Sequence, residues 1–217
     1  MRLRGPVLTL LAVAGLALAL LVVDVSQTPS PAPDQVARTA PAPTAGTVTS
    51  APAVPPAPAF PVEAVYTGRS SGDQVTVAIA VREGQAAGYV CDGERVEAWL
   101  EGQVRDGELR MEGMDGATVT ARADGDAVFG RVRVAGGQWP YAAQVAAPPA
   151  GLYEAVGTVD GVTARIGWIV LADGSQVGVA TVDGEHRPAP RLDLARGGAT
   201  VGGVFVAAEV VRGDDTG

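Results

Sequence analysis

The sequence predicts an all-β fold: an antiparallel meander of about eight short strands, closed as a small barrel or folded as a sandwich, with a C-terminal β-rich extension. Three observations predict it. Apolar residues alternate with polar ones in runs of about five to eight between Val62 and Ala147. Asp-Gly pairs recur at 92–93, 106–107, 115–116, 124–125, 160–161, 173–174 and 183–184, where hairpin turns belong. Between Val62 and Ala147 no stretch carries the apolar period of an amphipathic helix.

The N-terminal elements differ in kind. Residues 1–5, MRLRG, carry two arginines and read as a short cytoplasmic tail. The uncharged run PVLTLLAVAGLALALLVV, Pro6 to Val23, would reach roughly 27 Å as a helix, close to a hydrocarbon core. Arginines before it and none just after predict a transmembrane signal anchor with its N-terminus inside. The alternative is secretion after signal cleavage, but VVDVSQ beyond the run offers no small-x-small cleavage site. Residues 24–61 are Pro-, Ala-, Thr- and Ser-rich with little charge, a composition that predicts a disordered stalk. Fully extended, such a stalk spans on the order of 100 Å.

The predicted meander occupies 62–148. QVTVAIAV (74–81) places Val75, Val77, Ile79 and Val81 on one face. RVEAWLEG (95–102) sets Val96, Ala98 and Leu100 against Glu97, Trp99 and Glu101. AVFGRVRV sets Val128, Val132 and Val134 against Phe129, Arg131 and Arg133. The extension, 149–211, opens at the joint AAPPAGLY (146–153) and contains VTARIGWIVLADGSQVGVATVDG (162–184), which loosely echoes VTVAIAVREGQAAGYVCDG (75–93) as either a degenerate repeat or a second hairpin under the same turn rules. EHRPAPRLDLARGG (185–198) is predicted as a loop because of its prolines, and 199–211 as a last strand pair or one long strand. Residues 212–217 read as a disordered tail.

Composition removes several functions. A formal charge of −8 argues against a nucleic-acid partner, whose affinity comes largely from phosphate neutralisation. All the basic residues are arginine, and asparagine is absent, as a GC-rich genome would produce. One cysteine makes no internal disulfide.

The candidate chemistry is thin. EF-hand loops need oxygen ligands at alternating positions, whereas DGDAVFG (124–130) follows its two aspartates with Ala, Val and Phe, so the aspartates are read as type I′ turn residues. No metal ligand set and no cofactor fingerprint is present in the sequence. His186, the only histidine, falls in the predicted loop and is expected in solvent. Cys91 sits beside Asp92 and Glu94, the wrong setting for a reactive thiolate, and is read as a small buried apolar residue. Glu97 and Glu101 are carboxylates on one strand face, as any solvated face would show. Trp99 between them, with Arg131 and Arg133, forms the candidate ligand-binding set. The competing reading is that Trp99 covers a second layer made by the extension.

YVCDG (89–93), EAWLEG (97–102), PAGLYEA (149–155) and GWIVLADGSQVGV (167–179) together resemble uncharacterised exported envelope proteins of high-GC Gram-positive bacteria. The resemblance spans most of 62–211 and implies location, with no activity, ligand or site residue attached. The expectation is a single-pass, membrane-anchored, extracytoplasmic β domain that binds or scaffolds at the cell envelope without catalysis. A cell-wall component or a neighbouring membrane protein is the expected partner. The alternatives are an envelope hydrolase, which requires two converging carboxylates or one beside His186, and an accessory subunit of a membrane complex.

Overall fold

The computed structural model describes residues 59–215, so the cytoplasmic tail, the anchor and all but the end of the stalk lie outside the described residues. Eight antiparallel strands close into a barrel in sequence order: Glu63–Ser70 (β1), Thr76–Arg82 (β2), Gln85–Cys91 (β3), Glu97–Arg105 (β4), Glu108–Gly113 (β5), Thr118–Asp124 (β6), Ala127–Val134 (β7) and Gly137–Val145 (β8). β8 pairs back onto β1, so the barrel leaves no free edge. A barrel of eight strands is just wide enough to be filled by side chains. Here Tyr66, Val77, Ile79, Val90, Leu109, Met111, Val119, Val128 and Val132 fill it.

Seven more strands follow. Gly151–Val159 (β9), Val162–Val170 (β10), Gln176–Val182 (β11) and Glu185–Pro188 (β12) form a sheet in the order β12-β11-β10-β9. Gly198–Val201 (β13) and Val204–Ala207 (β14) make a hairpin, and Glu209–Val210 (β15) adds to the free side of β9. One face of this sheet lies on the barrel wall, where Ala78, Ala87, Tyr89 and Cys91 meet Leu152, Ile169, Leu171 and Val179. The other face is covered by the β13–β14 hairpin and by Leu192, around Trp168 and Ile166. The segment carrying Leu192 is tied across the sheet: Gln176 both donates to and accepts from the Leu192 backbone, and the Trp168 indole donates to the Pro190 carbonyl.

This layering explains why β2 reads as almost continuously apolar. Its Val77, Ile79 and Val81 face the barrel interior while Ala78, on the other side, lies under the second sheet. The C-terminal residues close over the β2–β3 hairpin, with Gly213 against Arg82 and Gln85, Asp214 paired to Arg82 at 3.4 Å and the Arg212 N–H donating to Asp215.

Two expectations are corrected. The segment 185–198 is not all loop, because its first four residues form the edge strand β12. The β11–β12 pairing is read from Val182↔Glu185 to Val179↔Pro188, and the Ala189 N–H donates to the Gly178 carbonyl. In an antiparallel ladder inward and outward residues alternate, so Pro188 turns its missing donor away from β11. A proline is tolerated there. Nor do all the Asp-Gly pairs make type I′ turns. Asp106-Gly107, Asp115-Gly116, Asp160-Gly161 and Asp183-Gly184 have positive φ at both residues, whereas at 92–93, 124–125 and 173–174 only the glycine does. Asp92 uses its side chain instead, its Oδ1 accepting from the N–H groups of Glu94, Arg95 and Val96. Asp173 does the same toward Ser175, whose hydroxyl and N–H hold its carboxyl below the ordinary value, with Arg69 adding a smaller Coulomb contribution.

Candidate functional site

Where the second sheet lies on the barrel wall, the seam gathers Tyr89, Cys91, Glu97, Trp99, Arg165 and His186. Strand alternation sends Tyr89 of β3 and Glu97 of β4 outward from the barrel, toward Val179 and Thr181 of β11 and His186 of β12. The Tyr89 hydroxyl donates to Glu97 Oε2 at 2.7 Å and accepts from the Val179 N–H at 3.3 Å. Thr181 donates its hydroxyl to Glu97 Oε1. His186 Nδ1 stands 3.4 Å from the same Oε1 and 3.3 Å from Thr181 Oγ1. The Glu97 side chain is 8% exposed, so its charge is taken from water and both its oxygens are held by protein donors. Burial first, then Cys91 and the Glu97 carboxylate, push the Tyr89 phenol well above its ordinary value, which keeps it a donor. Cys91 lies fully buried beneath, its thiol pushed up to about 12 by burial, and is inert as a nucleophile.

The histidine is therefore on an edge strand rather than in a loop, although its side chain remains 40% exposed. Sequence reading missed its partner because Glu97 and His186 are far apart in the chain and meet only when β12 folds over β4. The one available signal was the Asp183-Gly184 turn, which returns the chain and sets His186 opposite Thr181.

Trp99, two residues beyond Glu97, is partly buried in the same seam. Its ring packs against Tyr89 at 4.4 Å between centroids, with the Arg165 guanidinium 4.4 Å from its centroid. Arg165 is in turn paired with Glu154 at 2.5 Å. Trp99 thus covers a second layer made by the extension, and flat stacking on a ligand would have to displace one of these neighbours. Two cavities flank it. One of about 430 Å³ is lined by Val96, Glu97, Ala98, Arg165 and His186, and one of about 420 Å³ by Glu101, Glu112, Glu154 and Arg165. Met114, 84% exposed in a one-turn 3-10 helix at Met114–Gly116, lines both. Glu97 and Glu101 line different cavities with Trp99 between them. Their Cα atoms, four residues apart along β4, are separated by roughly 13 Å.

Arg131 and Arg133 are elsewhere. They project from β7, which β5 and β6 separate from β4, and neither lines a cavity that Trp99 lines. Both are exposed. Arg133 donates to Gln138 at 2.8 Å, and among the described residues neither arginine has an acidic partner. With them on the outer face are Phe129, 49% exposed, and Arg122, whose side chain is 78% exposed and 3.9 Å from Glu108. The register sets Arg122 beside Phe129, Phe129 beside Ala142, and Ala142 beside Arg69. The second sheet leaves this face of the barrel uncovered.

The two places predict opposite responses to mutation. Trp99→Ala is expected to cost about 2–4 kcal/mol, since it empties the packing between the layers. Arg131→Ala, on an open surface, is expected within about 0.5 kcal/mol of wild type. Urea unfolding of the two variants checks both.

The fold and its surfaces thus define the class: a closed eight-stranded barrel carrying an appended sheet, with a polar seam between them and an arginine-rich outer face. No protein-family model, curated protein or solved structure matches the chain.

Proposed function

We propose that the protein is a non-catalytic binding or scaffolding module of the cell envelope. In this reading residues 6–23 anchor it in the membrane, 24–61 space it outward, and the β domain presents its uncovered barrel face. The observation that carries the proposal is the cluster of Arg122, Arg131 and Arg133 around exposed Phe129, in a chain of formal charge −8. Cations are placed there against the overall charge. An exposed aromatic among arginines is the composition of interface anchors.

A hydrolase at the seam is the second reading, favoured by the approach of His186 to Glu97. Nucleophilic relays join the hydroxyl and the carboxylate through opposite nitrogens of the imidazole. Here a single nitrogen, Nδ1, faces both, and the Thr181 hydroxyl proton points at Glu97 itself. That arrangement favours a clasp between the two layers over a nucleophilic relay.

The test is co-sedimentation of the full-length chain with isolated cell envelopes, its anchor occupied beforehand in phosphatidylcholine nanodiscs so that only the β domain is free to bind. The triple variant R122Q/R131Q/R133Q is expected to lose at least about ten-fold in apparent affinity, with an unchanged melting curve. Undiminished sedimentation of the triple variant would overturn the proposal.

A further inference from the structure

The uncovered face also indicates what kind of partner it fits, an inference that rests on the binding reading above. We infer that it docks a linear anionic polymer, laid along β7. Arg131 and Arg133 stand two residues apart on one strand, and so project to one side roughly 6.8 Å apart. Arg122 and Phe129 continue the line toward the other end of the strand, on adjoining positions of β6 and β7. The result is a stripe of cations with an apolar ring set into it. Its acidic limits are Asp124 and Asp126 about the β6–β7 turn and, one strand further out on β5, exposed Glu112, in register with Arg133 through Thr118, and Glu108, paired to Arg110 at 3.0 Å and within 3.9 Å of Arg122.

Guanidinium groups suit this partner because their planar donor forks match phosphate and carboxylate oxygens, and they hold less tightly to water than ammonium groups do. The shape of the partner follows from the charge of the whole chain. An anionic lipid plane meets the entire domain, and a chain of formal charge −8 is repelled by it. A thin polymer contacts only the stripe. It loses condensed counterions on binding, so its affinity falls steeply with salt. Phe129 gives it an apolar surface between charges, against the carbon skeleton that links the anionic groups.

Fluorescein-labelled linear polyphosphate is the probe, added to the full-length chain in phosphatidylcholine nanodiscs and followed by fluorescence anisotropy. Saturable binding is expected, at least about ten-fold weaker in R122Q/R131Q/R133Q, with a shallower dependence of log affinity on log salt. Phe129→Ala is expected to leave polyphosphate binding within about two-fold of wild type at unchanged salt slope, because this probe has no carbon skeleton to pack on the ring. Absence of binding, or equal binding by the triple variant, would overturn the polymer as partner. Arginine-dependent sedimentation with phosphatidylglycerol vesicles, without polyphosphate binding, would overturn it too while leaving the face a binding surface. If the triple variant also sediments with envelopes like wild type, the binding reading fails along with it.

Discussion

Glu97→Ala is expected to lower the stability of the β domain by about 3 kcal/mol, a fall of roughly 6–12 °C in melting temperature. The carboxylate is the one group that touches Tyr89, Thr181 and His186 at once, and so joins β3, β4, β11 and β12. Removing it leaves the Tyr89 hydroxyl, buried at the seam, without its acceptor, and an unpaired buried polar group costs about 1–3 kcal/mol. Thr181 and the half-exposed His186 can recover water, which keeps the total below that of a fully buried ion pair. Glu97→Gln is expected to do less damage, since its amide oxygen still accepts from one hydroxyl. Thermal unfolding followed by circular dichroism measures both. An alanine variant as stable as wild type would mean that apolar contacts alone hold the layers together.

Gly130→Ala is expected to be the most damaging single change, about 3 kcal/mol or more, and to lower the yield of folded protein. Gly130 faces the barrel interior between Val128 and Val132, and a Cβ there would lie 1.7 Å from the Thr120 carbonyl oxygen and 2.9 Å from Ala121 Cα. Both are backbone atoms of the neighbouring β6, so no side-chain rotation relieves the clash. β7 would have to move off β6, which breaks a wall that is continuous around the barrel. Glycine inside a strand marks this kind of bend and close approach. The denaturant midpoint of the variant, set against Gly125→Ala in an open turn, separates packing at the wall from turn strain.

The barrel was legible because its signals are local. The alternation of Val128, Val132 and Val134 against Phe129, Arg131 and Arg133 assigns both faces of β7 correctly, and the same holds for Val96, Ala98 and Leu100 against Glu97, Trp99 and Glu101. Closure was not legible, since period-two alternation reads alike in a sandwich and a barrel. It depends on β8 reaching β1, with Ser70 set opposite Tyr141. The strand at Glu185–Pro188 was hidden because proline speaks against strands in general, and only the register shows Pro188 turned outward.

The candidate site was half legible for a similar reason. Trp99, Arg131 and Arg133 stand out in the sequence as residues of the polar faces, yet the sequence cannot say which polar face another layer will cover. The second sheet settles on β2, β3 and β4, which buries Glu97 and half-buries Trp99 while leaving β7 open. The echo between 75–93 and 162–184 gained a physical setting. The two hairpins they form pack against each other, though β2–β3 turns tightly at Glu83-Gly84 and β10–β11 through the longer 171–175 loop.

The proposed division of labour, a seam that holds the layers and a face that binds, comes down to one variant with two readouts. Glu97→Gln should be measured for melting temperature and, well below its transition, for co-sedimentation with isolated envelopes. A structural clasp predicts a lower melting temperature with envelope affinity equal to wild type. Affinity or turnover of an envelope substrate lost at an unchanged melting temperature would contradict it, and would place the chemistry at Glu97 and His186.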